Sequence, residues 1–397
     1  MRVCLVSQEY PPETAKGGIG TQTFLQAHGL AALGHQVIVL SHSVDEKFHE
    51  SSDQGVKVIR IPGFDSRLPL ATEPARWLTY SAQVAAALSA LNAEKRLDLV
   101  VFPEWGGEGY IHLLNQSEWN SIPAVVHIHG SISMFAHYTG WPETNSEFYR
   151  VAAEMERTCL RLAGGVCSSS RFSADWCAKQ YQLRRGPIPV LHTGVDTEIF
   201  FPRPVPKESR PTILFAGSVT AQKGVPLLVN AACRLAPEFP RLQLRILGSG
   251  EANFVKELKQ KAASSGLPDL LVFEGFVPRE NLAEHFSRAH VFAGPSVFEG
   301  GPGFVYLEAM ACGLPVIACE GSGVTEIVTH PQNGILIPPQ NEEALTRALR
   351  ELLSNAEKRA AMGGRAHQYV LDHAASKDCL KRIETFYLSF ISSRVYS

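Results

Sequence analysis

Residues 294–313 read GPSVFEGGPGFVYLEAMACG. An apolar run, His290 to Ala293, leads into a glycine-rich turn; an apolar stretch beginning near Gly303 then has the character of a helix ending at Gly313, a residue suited to the left-handed C-terminal position. Strand, glycine turn and helix form the unit from which parallel α/β sheets are wound. Glu308 lies inside the helical stretch among Leu307, Ala309 and Met310. A carboxylate there is costly unless hydrogen-bonded, which implies a ligand hydroxyl or an internal partner such as a neighbouring Arg or Lys.

The same alternation runs outward from this stretch in both directions. Strands are expected at Val3 to Ser7, Gln36 to Ser41, Val56 to Ile61, Leu99 to Phe102, Ala124 to Ile128, Gly165 to Ser168 and Pro189 to His192. A passage with four prolines, Phe201 to Pro211, interrupts the pattern. It restarts with strands at Thr212 to Ala216, Gln243 to Leu247, Leu271 to Glu274, His290 to Ala293, Val316 to Ala318 and Ile335 to Ile337. The economical reading is two doubly wound α/β domains, 1–194 and 195–375, joined near 195–211. A last helix over 376–397, with Leu380, Ile383, Phe386, Tyr387 and Phe390 at helical spacing, is expected to pack back on the first domain. Ligands of such sheets bind beyond the carboxyl ends of the strands, so two domains facing each other across a cleft are expected to bind between them.

Composition narrows the class. The 397 residues, 45% hydrophobic and 19% charged, suit a globular enzyme of two or three domains rather than a disordered or fibrous chain. The 37 basic residues against 39 acidic ones leave no surplus for a nucleic-acid partner held by bulk charge. The apolar run Met1 to Val6 is too short for a signal peptide, and no stretch reaches bilayer-spanning length, so a cytoplasmic protein is expected. Peripheral contact with a membrane surface is left open. Eight cysteines without metal-ligand spacing read as reduced, mostly buried thiols.

Three further motifs follow strands. Lys16, Gly17, Gly18, Ile19 and Gly20 precede a helix, where glycines let amides approach an anion, yet Thr23 stands where a dinucleotide fingerprint has its third glycine. That loop is also about ten residues too long for the fingerprint's tight turn, so a dehydrogenase reading fails. The pair Gly248 and Gly250 reads as an ordinary strand-to-helix turn or as a ligand loop. Lys223 lies between the first strand of the second half and its helix, either as a solvated lysine or as the partner of a diphosphate.

Taken together and in this order, "EYPP" at 9, "GGIG" at 17, "GH" at 34, "VVHIHG" at 125, "TGVDTEIFFP" at 193, "KGV" at 223, "LGSGE" at 247, "GFVPRENL" at 275, the 294–313 stretch and "NGILIPP" at 333 resemble the family 4 retaining glycosyltransferases of GT-B fold. The resemblance spans nearly the whole chain. It implies two Rossmann-like domains and transfer of a hexosyl group from a nucleotide diphosphate sugar, UDP-linked in most of the family, to a sugar, lipid-linked or small-molecule hydroxyl acceptor. No further cofactor is implied.

The resemblance assigns Glu308 to the nucleotide ribose, Glu299 to the donor sugar and Lys223 to the diphosphate. It places Gly301, Gly303 and Phe304 in the turn whose amides approach sugar and diphosphate, and Val277 where backbone meets the base. Gly18 and Gly20 match the first-domain loop that touches diphosphate or acceptor, and His129 matches the histidine near the donor sugar. His127 reads as a partnered strand histidine, and Glu104, Trp105, Gly106, Gly107 and Glu108 are candidates for lining the acceptor. Eight residues, Gly300 to Leu307, separate the two glutamates, one more than the family pattern. That residue adds up to about 3.5 Å of reach, so a displaced Glu299 or a bulged loop is expected. Ser218 stands where the family commonly has an arginine. No DxD triplet occurs, Asp196, Thr197, Glu198 being the nearest, so metal independence is expected. The rival readings are a nucleotide-sugar epimerase of the same fold and a catalytically silent sugar-nucleotide-binding subunit.

Overall fold

The computed structural model describes residues 1–14, 17–63, 72–117 and 121–395. Lys16 and residues 396–397 of the expected last helix lie outside the described residues. The chain divides into two compact units, one of Met1–Thr193 with Lys377–Ser397, the other of Gly194–Ser376.

The first unit is a seven-stranded sheet of β1 (Arg2–Val6), β2 (Gln36–His42), β3 (His49–Asp53), β4 (Val56–Ile61), β5 (Leu99–Pro103), β6 (Ala124–Ile128) and β7 (Gly165–Ser168). Their spatial order is β3-β4-β2-β1-β5-β6-β7, parallel except for the β3–β4 pair. Apart from β3 these strands are near-continuous apolar runs, as burial on both faces requires. Two corrections to the sequence reading arise here. The polar strand β3 was not anticipated, and Pro189 to His192 forms no strand. It makes only an isolated bridge, Val190 to Ser168, with Leu191 N donating to Ser168 O at 2.7 Å.

The second unit is a six-stranded parallel sheet of β8 (Thr212–Ala216), β9 (Gln243–Leu247), β10 (Leu271–Gly275), β11 (Val291–Gly294), β12 (Val316–Cys319) and β13 (Gly334–Ile337), in the order β10-β9-β8-β11-β12-β13. Side chains fix where the covering helices begin. Ser146 accepts from Tyr149 N at the start of Glu147–Leu162, and Asn341 from Ala344 N at the start of Glu342–Ser354.

The last helix, Ser376–Val395, lies on the first unit, where Ile383 and Tyr387 are fully buried beside Leu5, Leu30 and Val39. Burial of each such side chain contributes about 1.5–3 kcal/mol. Gln26 Nε2 donates to the Tyr387 hydroxyl, which gives its buried oxygen a partner. All eight cysteines are among the described residues, none is in a disulfide, and seven are buried.

Both sheets change winding direction once. In the first unit the strand order reverses between β1 and β5, and in the second between β8 and β11. The loops leaving these four strands diverge to opposite sides of the sheet, which opens a crevice at the carboxyl ends.

Candidate functional site

In the second unit the loops after β8 and β11 flank the reversal point, and a side-chain pair joins them. Lys223 Nζ donates to Glu299 Oε1 at 2.7 Å. The loops also touch through their backbones, Val297 N donating to Gln222 O at 2.8 Å. Gly224 makes this approach feasible. A Cβ there would lie 2.0 Å from Pro295 O, and its φ of +73° is one that side chains rarely adopt.

The turn then feeds the helix Phe304–Ala311 through Gly303, its N-cap at φ +72°. A Cβ on Gly303 would lie 2.7 Å from Tyr306 Cδ2. Glu299 O accepts from Gly323 N at 2.8 Å, and Gly300 and Gly301 lie against Gly323. The eight-residue interval is thus taken up as a turn braced by Gly323, with the Glu299 carboxylate on Lys223. Gly301 and Phe304 are half-buried at the positive end of the helix dipole.

Glu308 is 5% exposed, and its carboxylate Oε1 accepts from Arg279 Nε at 2.8 Å. Burial raises its pKa, while the Arg279 charge and hydrogen bond oppose the rise. Arg279 opens the helix Arg279–Arg288, two residues beyond the half-buried Val277. Its guanidinium carbon lies 5.0 Å from the centroid of Phe200. Sequence reading included Arg279 in a motif without giving it a role. The internal partner anticipated as one option for Glu308 is this residue, and its 29-residue separation leaves no local signal. Gly248 and Gly250 pack on Gly217 and Val219, which supports the ordinary turn reading of that pair.

In the first unit the loop after β1 leads to the helix Gly18–Ala32. Glu9 occupies its start: Gly20 N donates to Glu9 Oε2 at 3.3 Å, and a Cβ at Gly17 would lie 2.8 Å from the same oxygen. An internal carboxylate therefore meets the amide end that sequence reading assigned to an anion. Around Gly18 no described residue would lie within 4 Å of a Cβ at that position.

At the end of β6, His129 and His127 stack with ring centroids 4.6 Å apart. Ser169 Oγ lies 3.2 Å from His127 Nε2 and 3.3 Å from His129 Nδ1, and it donates to Gln22 Oε1 at 3.1 Å. His127 thus has the partners expected of a strand histidine. Burial pushes its pKa down to about 4. Burial, and then the neighbouring His127, hold His129 well below the usual histidine value. Both rings are neutral near pH 7, so His129 can exchange hydrogen bonds with a hydroxyl without adding charge.

The loop after β5 departs from the sequence reading. Glu104 is fully buried and accepts from the backbone N–H groups of His129 at 2.8 Å and Gly130 at 2.5 Å. Burial raises its pKa to about 7 against the lowering effect of those bonds. Glu108 is 2% exposed and accepts from Gln8 N at 3.1 Å, with burial raising its pKa to about 8. Trp105 packs on Trp77 and Phe135, centroids 5.9 and 5.0 Å away. Instead of lining an acceptor site, Glu104 and Glu108 tie the ends of β1, β5 and β6 together, because buried carboxylates are held by the N–H groups they satisfy.

Among the described residues, no three His, Cys, Asp or Glu side chains converge as a metal site, and no helix is long and apolar enough to cross a membrane.

Comparison with known proteins extends these observations. The family model described as Glycosyl transferases group 1 matches residues 196–369, and that described as Glycosyltransferase Family 4 matches residues 16–199. Over 393 residues the chain is 27% identical to a GDP-mannose-dependent alpha-(1-6)-phosphatidylinositol monomannoside mannosyltransferase of Mycolicibacterium smegmatis, spanning 93% of this chain and 94% of that protein. A glycogen synthase of Mycobacterium tuberculosis is 27% identical over 377 residues, 91% of this chain and 88% of its own length. Among solved structures, a sucrose-phosphate synthase from Thermosynechococcus elongatus matches with a TM-score of 0.84 at 21% identity, over 99% of each chain; this is a likeness of fold.

Proposed function

The chain belongs to family 4 of the glycosyltransferases and has their GT-B fold, and from that premise we propose that it moves a hexosyl group from a nucleotide diphosphate sugar to a hydroxyl acceptor, with retention of configuration and without a metal ion. Membership in a glycosyltransferase family favours this reading over the epimerase and silent-subunit ones. The observation that carries the proposal is the Lys223–Glu299 pair at the reversal point of the second sheet, with buried Glu308 on the helix that follows.

Cleavage of the sugar–phosphate bond leaves negative charge on the diphosphate and positive charge on an oxocarbenium-like sugar. Lys223 and the amides at the start of Phe304–Ala311 answer the first, and Glu299 lies beside them to meet a sugar hydroxyl. Glu308 accepts from the ribose, the backbone at Val277 meets the base, and His129 offers a neutral ring to the sugar. The acceptor oxygen attacks from the face the diphosphate leaves, and a leaving phosphate oxygen takes its proton, so no protein base is required. Metal independence is proposed from the sequence, which has no DxD triplet.

UDP is the proposed nucleotide on the strength of the family's commonest donor, while the relative named for GDP-mannose makes GDP its main competitor. That relative's name also supports a lipid-linked hydroxyl acceptor. Eight cysteines without a paired or metal-ligand spacing in the sequence support a reducing, cytoplasmic setting. The test is thermal stabilisation by UDP, GDP and ADP, followed by release of the preferred nucleotide from its sugars and assignment of the product anomer by NMR. A ligand at 100 times its Kd adds about 2.7 kcal/mol of stability. No stabilisation by any of the three, together with no nucleotide release, would overturn the proposal.

A further inference from the structure

We propose that Arg279 is the positioning residue of the nucleotide site: its Nε–H fixes one oxygen of Glu308 and leaves the other as the acceptor for a ribose hydroxyl. This rests on the ribose reading of Glu308. Among the described residues Arg279 is the sole hydrogen-bond partner of that carboxylate, and it bonds only Oε1, at 2.8 Å.

The geometry is unlike that of a purely structural ion pair. An arginine paired with a carboxylate commonly takes the two-bond fork. Here the contact is single, and Nη2 of Arg279 is buried without a hydrogen-bond partner among the described residues. Leaving such a donor unpaired is unfavourable. The guanidinium is nevertheless held on two sides, by Glu308 at Nε and by the fully buried Phe200 ring 5.0 Å from its central carbon. A group fixed this way orients its partner instead of maximising its own bonds. Its place in sequence agrees, since it follows the loop of Val277 and opens the next helix.

The charge matters as much as the direction. Burial alone favours the protonated form of Glu308, and among the described residues Arg279 is the charged group that counters it. Just beyond its helix the nearby ionisable group is the C-cap Cys312, whose thiol burial holds up to about 12 and therefore neutral. Removing Arg279 leaves only the effect that raises the Glu308 pKa, so the carboxylate takes up a proton nearer neutrality. The sign follows: in such a variant, nucleotide binding weakens as pH falls and recovers as pH rises.

The test is calorimetric titration, at mildly acid, neutral and alkaline pH, with whichever of UDP, GDP and ADP the unmodified chain binds most tightly. Arg279→Ala is expected to lose about ten- to a hundredfold in affinity at neutral pH, regaining part of it at alkaline pH. The unmodified chain should show the smaller pH dependence over that range, and Arg279→Lys should restore both most of the affinity and that weaker pH dependence. Should Arg279→Ala fail to fold, Arg279→Gln carries the same expectation, having a hydrogen bond without a charge. A loss that is equal at every pH and that lysine does not rescue would overturn the inference, as would unchanged binding in the Ala or Gln variant beside a weakened Glu308→Gln. If Glu308→Gln itself binds normally, it is the ribose reading that falls.

Discussion

Replacing Lys223 by methionine removes a charge while keeping most of the side chain's length. In the folded chain that charge faces Glu299 at 2.7 Å, with the lysine side chain 37% and the glutamate 16% exposed. A pair this open to water contributes no more than about 1 kcal/mol to folding. The melting temperature should therefore fall by no more than about 4 °C. A charged hydrogen bond to a departing diphosphate is worth roughly 1.5–3 kcal/mol, or about ten- to a hundredfold in turnover when it forms mainly in the transition state. Activity should consequently fall much further than stability. Initial rates of nucleotide release at saturating donor, measured beside thermal melts, compare the two losses directly. A folded Lys223→Met with turnover within about twofold of the unmodified chain would remove Lys223 from the mechanism. A large drop in melting temperature that accounts for the lost activity would instead make the pair a structural strut between the loops after β8 and β11.

The two glutamates separate in calorimetric titration: Glu308→Gln should weaken binding of the free nucleotide and of the donor alike, by about 1.5–3 kcal/mol, whereas Glu299→Gln should spare the nucleotide and weaken only the sugar-bearing donor. Equal losses for both ligands at Glu299 would reassign that carboxylate. Chelation by EDTA should leave transfer intact, and activity lost to EDTA and restored by Mg²⁺ or Mn²⁺ would show that a metal shares the diphosphate charge with Lys223. Burial holds Glu108 near 8, so the folded chain carries an extra proton from the ordinary carboxylate range up to that value, and stability declines as pH rises through it. Glu108→Gln should accordingly be more stable than the unmodified chain above pH 8, by about 3–5 kcal/mol in unfolding free energy, and should melt nearly the same in mild acid. A lower melting temperature at alkaline pH would mean that the Glu108 charge is itself stabilising.

Strands buried on both faces announce themselves, which is why Val3 to Val6, Thr212 to Ala216 and Val316 to Ala318 were legible as apolar runs ending in turns. Strand β3 was not, because four of its five residues, HESSD, are exposed and its pairing to β4 comes from the two-residue turn Gln54-Gly55. Both turn residues have positive φ, +48° and +90°, and a glycine immediately before a β-branched run, Gly55 before Val56, was the available signal. Pro189 to His192 shows the opposite case: an apolar run whose proline lacks an N–H sustains one bridge and no ladder.

Acidic residues in the loops at the carboxyl ends pose a subtler problem, since sequence treats Glu104 and Glu299 alike. Register separates them. Pro103 pairs with His127, so Glu104, the first residue beyond β5, comes level with the amides that end β6 and is taken up by His129 and Gly130. Glu299 stands five residues beyond Gly294, past the level of the neighbouring strand ends, and meets a side chain, Lys223, instead of backbone. A glutamate directly after a strand is thus placed to satisfy its neighbour's terminal N–H groups, but distance from the strand does not decide the later ones: Glu108, five residues beyond Pro103, still accepts from Gln8 N, whereas Glu299, five beyond Gly294, meets Lys223. Glu308 falls outside that rule because a helix, not a strand end, positions it, and its partner Arg279 is fixed only when the next helix of the wound sheet comes to lie beside it.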